Sequence, residues 1–203
     1  MTENADKKKH HHGNLRAALV SAGIELLEEG GLEALTLRKC AARAGVSHAA
    51  PAHHFEGLQG LKHAIAEEGF RLFSAHLQRA IEVGPQSDRG RLNSICRGYL
   101  LFGLQHRGVL NVIFGGKGLA GLVASPSGKK EAHAYLLLRE VCAPFVPEGV
   151  DPQVVEAQVW SLIHGFTLLH LAGEFGPPAV PEDGGAFDQV MGLLDALPMP
   201  PKA

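Results

Sequence analysis

Cysteine is scarce in this sequence: Cys40, Cys96 and Cys142 lie far apart, form no CxxC pair and leave an odd thiol over. That excludes a disulfide framework and a zinc module and fits a reducing compartment. A strong excess of charge is also missing, since the 203 residues carry a formal net charge of −2. The whole molecule is therefore no general polyanion binder, and any nucleic-acid function has to come from a local patch. No apolar run approaches the length that spans a bilayer, and the start MTENADKKKHHHG is polar where a secretion signal would be apolar. The expectation is a cytoplasmic protein without a membrane partner. The His10 to His12 run passes straight into GNLR and reads as native.

Motifs that carry chemistry are missing too. Twelve histidines invite a metal-dependent reading. Yet His53 and His54 are adjacent in a helical pattern and cannot both face one ion, and there is no HExxH and no DxD. A hydrolase or transferase would need a nucleophile beside a base, or a glycine loop for phosphate; GGKG at 115–118 lacks the rest of a P-loop and reads as a turn. The sequence accordingly predicts no catalytic residue, no metal ligand and no cofactor. Cys96 and Cys142 have no neighbour that would depress a thiol pKa and read as buried packing.

What is present is helical periodicity throughout, without paired strand patterns. Leu15, Ala18, Leu19, Ala22 and Leu26 recur three or four apart between Asn14, a candidate cap, and the stop Gly30-Gly31. A second, two-turn helix starts at Thr36 and ends at Gly45, and Ser47 offers a cap for a third over HAAPAHHF. Gly45 suits the sharp turn between them, while Pro51 removes one backbone donor and should leave the third helix short. A long helix follows from about Leu58 to Val83, striped by Leu61, Ile65, Phe70, Phe73 and Leu77. Further helices are expected at about 88–106, 108–114, 128–146, 151–174 and 185–197, with GGKGLAGLVASPSG and EFGPPAVPEDGG as flexible connectors.

The stretch from KKHHHGNLR through LTLRKCAARAGVSHAAPAHHFEGLQGLKHAI resembles the DNA-binding domain of the TetR family of transcriptional regulators. The match covers the HHGNLR lead into the first helix, its closing glycines, the LTLR start of the second, the AGVS turn and the HHF end of the third. The resemblance implies an all-α protein: a flexible basic arm over 1–12, a three-helix helix-turn-helix domain over 13–73, and a helical effector-binding and dimerisation domain over 74–203. His48 to His54 would be the recognition helix in the major groove, with Thr36, Arg38, Lys39, Ser47, His48, Ala49, Ala50, His53 and His54 at the double-stranded operator DNA.

The charges agree in part. Between Thr36 and His63 the basic residues Arg38, Lys39, Arg43 and Lys62 face one acid, Glu56. Histidines beside phosphates would favour the charged imidazolium, so binding should strengthen as pH falls through neutrality. Two positions depart from the family: Ala52 stands where an aromatic phosphate contact is usual, and Leu58 where a lysine is usual. Both lose backbone contacts, which lowers affinity without altering base readout. Lys7, Lys8 and Lys9 could offset the loss as an arm along the groove.

In the C-terminal half Asp151-Pro152 opens a helix that is apolar on nearly every side, and Phe187, Val190, Met191, Leu194 and Leu197 stripe a last one. The resemblance implies that these two pair with their copies in a homodimer. Within the first of them Trp160-Ser-Leu-Ile-His164-Gly165 looks like the W-x-x-x-H-G signature of one family subgroup. Trp160 and His164 lie one turn apart and could line a pocket for an unidentified, largely apolar small-molecule effector with Tyr99, Phe102, His106 and Phe114. The plainer alternative is that both are packing, with Gly165 allowing a close helix contact. For the whole chain the expectation is a ligand-responsive repressor. The alternative is a dimeric interaction module in which DNA binding is weak or lost.

Overall fold

The structure, a computed structural model, describes residues 3–115 and 131–198, with side chains over 15–115 and 133–198. The described residues are helical, apart from turns and one isolated bridge at Glu174 and Gly176. Eight α-helices are described: α1 (Glu3–Ala34), α2 (Leu37–Arg43), α3 (Gly57–Val83), α4 (Asp88–Gln105), α5 (Arg107–Phe114), α6 (Glu131–Cys142), α7 (Pro152–Ala172) and α8 (Ala186–Met191). Three 3-10 turns, Ala50–His53, Ala143–Phe145 and Gly192–Ala196, complete them. The elements fall into two compact units, Met1–Gly69 with Arg107–Gly121, and Phe70–His106 with Leu122–Ala203. The all-α expectation is borne out. The connector GGKGLAGLVASPSG lies outside the described residues beyond its first glycine, as do the side chains of Lys7, Lys8, Lys9 and Asn14.

In the first unit the helix of the apolar repeat begins at Glu3, ahead of Asn14, because nothing in KKKHHH interrupts helical backbone. Its expected stop is a kink: Gly30 (φ −147°) and Gly31 (φ +64°) leave helical geometry, and one more turn follows to Ala34. The core is the apolar stripe of α1 (Leu19, Val20, Leu26, Leu27) packed on Leu35, Cys40, Phe55, Leu61 and Ile65. Burial pushes the Cys40 thiol up from its ordinary value, as befits an apolar core group. A close approach fixes α5 in this unit: a Cβ at Gly69 would lie 2.6 Å from Val109 Cγ1 and 2.9 Å from Ile113 Cγ2.

In the second unit Asp151 accepts a bond from the Gln153 amide (3.0 Å), and Pro152 takes the first position of α7, as the sequence predicts. Val155, Val159, Ile163, Phe166 and Leu171 face the core, whereas Val154, Leu168 and Leu169 stay 47%, 43% and 49% exposed. The last predicted helix is shorter than 185–197: α-helix ends at Met191 and tightens into the 3-10 turn at Gly192, where helical propensity is lowest. Its Phe187, Met191 and Leu194 are buried within this unit. Two arginines of α4 hold that segment. Arg89 donates to the carbonyls of Leu194, Asp195 and Leu197, and Arg97 donates to the Pro181 carbonyl and pairs with Asp183 and Asp188.

Candidate DNA-binding and ligand-binding sites

The turn after α2 is built by hydrogen bonds that its sequence dictates. Thr36 caps α2, its hydroxyl accepting from the Lys39 amide at 3.2 Å. At the other end Gly45 (φ +68°) donates to the Ala42 carbonyl and Val46 to the Ala41 carbonyl, the double bond of a Schellman closure. The chain then enters Ala50–His53, where the recognition helix is expected. Here the structure corrects the sequence reading: the element is a 3-10 turn, not an α-helix over His48–His54. Pro51 has no amide to give to the Ser47 carbonyl, which accepts from the Ala50 amide at 3.0 Å instead. Ser47 is not its cap either, since the turn starts after Ala49 with no side-chain cap bond.

Thr36, Arg38, Lys39, Ser47, His48, Ala49 and His53 are exposed, and Ala50 and His54 are half-buried. These nine lie on consecutive short elements over Thr36–His54. The local positive charge is smaller than the sequence suggests, because Arg43 makes a two-pronged bond with Glu29 (2.8 and 2.6 Å) and reaches Glu25 at 3.2 Å. Those carboxylates raise the Arg43 pKa further, and the bond from Arg43 holds Glu29 below its ordinary value. Ala52 is exposed, whereas Leu58 is half-buried against the first unit's core. Its replacement of the usual lysine therefore puts an apolar contact where a phosphate contact is common.

In the second unit α3, α4 and α7 bring together most of the residues picked for a ligand. The Tyr99 hydroxyl lies 2.7 Å from His164 Nδ1. The two rings meet edge to face, and Trp160 stands edge-on to His164 with centroids 6.3 Å apart. Phe73 packs against both Tyr99 and Phe102, at 5.1 and 5.0 Å. Phe102 in turn meets His106 at 4.9 Å and His76 at 5.8 Å. Burial pushes the Tyr99 hydroxyl well above the usual tyrosine range and His164 below its ordinary value. His76 is pushed down by burial first, then by the nearby His106 and Arg79. Phe114 is half-buried on α5 in the first unit.

Sequence reasoning missed His76. Its signal is the spacing of three from Phe73 on the stripe of α3, which turns an imidazole toward the same neighbours. The buried Glu156, which accepts a short bond from Tyr135, gave no sequence signal because α7 reads as uniformly apolar. At Gly165 a Cβ would meet nothing within 4 Å among the described residues. Cys96 and Cys142 are buried; burial carries the Cys96 thiol far above its ordinary value and Cys142 to about 12, as packing groups require. No group of three or more potential metal ligands occurs among the described residues, and no helix among them is long and apolar enough to cross a membrane.

A short capped helix, a left-handed glycine turn and an exposed second helical turn define a helix-turn-helix DNA-binding protein, here joined to a separate helical unit. Comparison with known proteins gives the same class. Residues 19–65 match the model of the bacterial regulatory proteins of the tetR family, and residues 92–194, more than half of the chain, match the tetracyclin repressor-like C-terminal domain. The chain belongs to the TetR family and is a helix-turn-helix transcriptional regulator. Solved structures agree in fold. A Rhodococcus sp. RHA1 protein of unknown function is 28% identical, with a TM-score of 0.66 over 89% of this chain and 91% of its own. A TetR-family transcriptional regulator from Pectobacterium atrosepticum is 19% identical, with a TM-score of 0.62 over 93% and 94%. The Bacillus subtilis regulator FadR, solved with stearoyl-CoA, is 13% identical, with a TM-score of 0.62 over 89% and 97%. No curated protein matches the chain.

Proposed function

We propose that this regulator is a cytoplasmic, non-enzymatic repressor that binds a two-fold operator as a homodimer and leaves it when a small, largely apolar effector occupies the second unit. The observation that carries the effector site is the aromatic and imidazole set in which Tyr99 bonds His164 and packs beside Phe73, with Trp160 and Phe102 on either side. Tyr99, Phe102, His106, Trp160 and His164 would line it. Apolar surface with a few convergent polar groups is the usual make-up of such sites. The fold of FadR, a protein solved with stearoyl-CoA, accommodates a ligand with a long apolar part.

The exposed side of α7 supports the dimer. Val154, Leu168 and Leu169 are left uncovered on a helix that buries Val155, Val159, Ile163, Phe166 and Leu171, and Gly165 opens space for a close approach. Two copies would present Thr36, Arg38, Lys39, Ser47, His48, Ala49, Ala50, His53 and His54 to two half-sites about one helical turn apart. Effector binding would favour a dimer arrangement in which that spacing no longer fits. The test is a footprint on the DNA upstream of the gene. Two protected patches about one turn apart, lost on effector addition, support the reading; a single patch, or none at low salt, sinks it.

A second reading has one specific observation in its favour. Arg43 is neutralised by Glu25 and Glu29, and the recognition element is only a 3-10 turn, so DNA affinity could have decayed to leave a dimeric interaction module. Salt-insensitive or absent DNA binding would favour it.

A further inference from the structure

We propose that this regulator reads thymine methyl groups of its operator through the methyls of Ala49 and Ala52, so that its sequence preference rests on apolar contact in the major groove. This rests on the DNA-binding reading above and names what that module reads. The geometry of the turn Ala50–His53 and its two flanking residues supplies the argument. A 3-10 turn has three residues per turn, so side chains three apart stand one above the other in columns. The inner column is Pro51, which is buried, with His54, which is half-buried. The next is Ala50, half-buried, with His53, exposed, and the third is Ala49 with Ala52, both exposed. The Ala52 amide donates to the Ala49 carbonyl at 3.2 Å, and the amides of His54 and Phe55 donate to the Pro51 carbonyl at 3.0 and 2.9 Å. The turn therefore buries Pro51 and Phe55 and leaves two methyls, one above the other, as its outer edge.

The chemistry around that column excludes the commoner base contacts. Between Arg43 and Glu56 the sequence holds no lysine, arginine, asparagine or glutamine. The two-pronged contacts by which arginine reads guanine and an amide reads adenine therefore have no source in this element. Arg43, at its border, is held by Glu29 and Glu25, and the next amide side chain along the chain, Gln59, belongs to α3. His48 and His53 each bring an imidazole that gives a single bond to a base edge or a phosphate, which adds affinity and sets the turn in register on the duplex. What Ala49 and Ala52 offer is apolar surface, and among the four bases only thymine presents a methyl in the major groove. The chain's family, matched across this turn, is one of DNA-binding regulators, so the partner of this surface is duplex DNA.

A methyl group taken out of water against another apolar group is worth about fourfold in affinity. Two alanines in each of two half-sites make the whole effect at least about tenfold, even where the packing is partial. The contact carries no charge, so it leaves the number of neutralised phosphates unaltered, and with it the salt dependence. Readout by methyls and anchoring by charge therefore separate in experiment.

The experiment is equilibrium binding of the full-length protein to the DNA upstream of its gene, amplified once with thymidine triphosphate and once with deoxyuridine triphosphate, which deletes only the C5 methyls. Each DNA is titrated over a range of salt with the wild type and with an Ala49→Gly, Ala52→Gly variant of unchanged helicity. An Ala49→Ser, Ala52→Ser variant replaces the methyls without the added freedom of glycine, and repeats the comparison on a restrained turn. We expect uracil DNA to bind the wild type at least about tenfold more weakly, with the salt slope unchanged. The thymine-to-uracil loss should shrink in both variants, the coupling that a double-mutant cycle reads. Equal affinity for the two DNAs overturns the proposal. So does a uracil loss that persists undiminished in both variants, which would place methyl readout in other residues or in the shape of the duplex. The two readings fail separately. Salt-sensitive binding that ignores uracil leaves the DNA-binding reading standing and this inference fallen, whereas no binding to either DNA at low salt removes the reading on which it rests.

Discussion

Gly108 faces the Leu27 carbonyl so closely that a Cβ there would lie 2.5 Å from its oxygen and 2.6 Å from its carbon. The Gly108 amide also donates to the Glu28 carboxylate at 3.3 Å, so the first turn of α5 is seated on the backbone of α1. Backbone cannot give way as a flexible side chain can. Gly108→Ala should therefore destabilise the protein by about 1–3 kcal/mol, the usual cost of overpacking. Urea denaturation followed by helical signal measures it, and an unchanged midpoint would contradict the close seat of α5.

Arg43 gives a prediction that charge counting would get wrong. Its guanidinium is held by Glu29 and Glu25, whereas Arg38 and Lys39 are exposed in the first turn of α2. Arg38→Ala and Lys39→Ala should each lower the slope of log affinity against log salt by about one. Arg43→Ala should change it little and leave stability nearly unchanged, because exposed ion pairs contribute little. An Arg43→Ala slope change as large as that of Arg38→Ala would show that Arg43 leaves its carboxylates for DNA.

The half-buried imidazoles of His76 and His164 make stability depend on pH in one direction. His76 and His164 are both held below their ordinary value of 6.5, chiefly by burial. As pH falls through about 6.5 the unfolded chain takes up these protons first, so it binds more protons than the folded chain and stability declines. Above that range the two residues contribute no pH dependence. Thermal melting at pH 7.5, 6.5 and 5.5 (chosen as about one unit either side of the imidazole range) checks the sign. Removing His76 as His76→Gln should flatten the acid limb; an identical limb would mean that other groups set it.

The surface of α7 predicts a subunit interface. Leu168 and Leu169 are 43% and 49% exposed, so replacing both by glutamate leaves the unit's core untouched. Leu168→Glu with Leu169→Glu should dissociate the dimer at micromolar concentration, seen by sedimentation, with helicity unchanged and operator binding weakened by at least about tenfold. A stable dimer in that variant would place the interface elsewhere.

Much of the fold was legible because its signals are local. The Thr36 cap, the left-handed Gly45 turn and the Asp151-Pro152 helix start each depend on a few neighbouring residues, and each stands where the sequence predicts it. The third helix was harder. Ser47, Ala49 and Ala50 suit a helix start, but the consequence of Pro51 is set by which carbonyl it leaves without a donor, and the result is a 3-10 turn. The candidate ligand residues Tyr99, Trp160 and His164 could be picked by type, yet the bond from Tyr99 to His164 joins helices 65 residues apart in sequence. The neutralisation of Arg43 by residues of α1, and the place of His76 beside Phe102, are likewise contacts between helices.

The central claim is that this chain binds duplex DNA through the turn at Ala50–His53. The most direct measurement is equilibrium binding of the purified protein to the DNA upstream of its gene, at low and moderate salt, beside a His53→Ala, His54→Ala variant. The account predicts tight binding that weakens steeply with salt and is lost in the variant. Binding that is absent at low salt, or that survives unchanged in the variant, would contradict it.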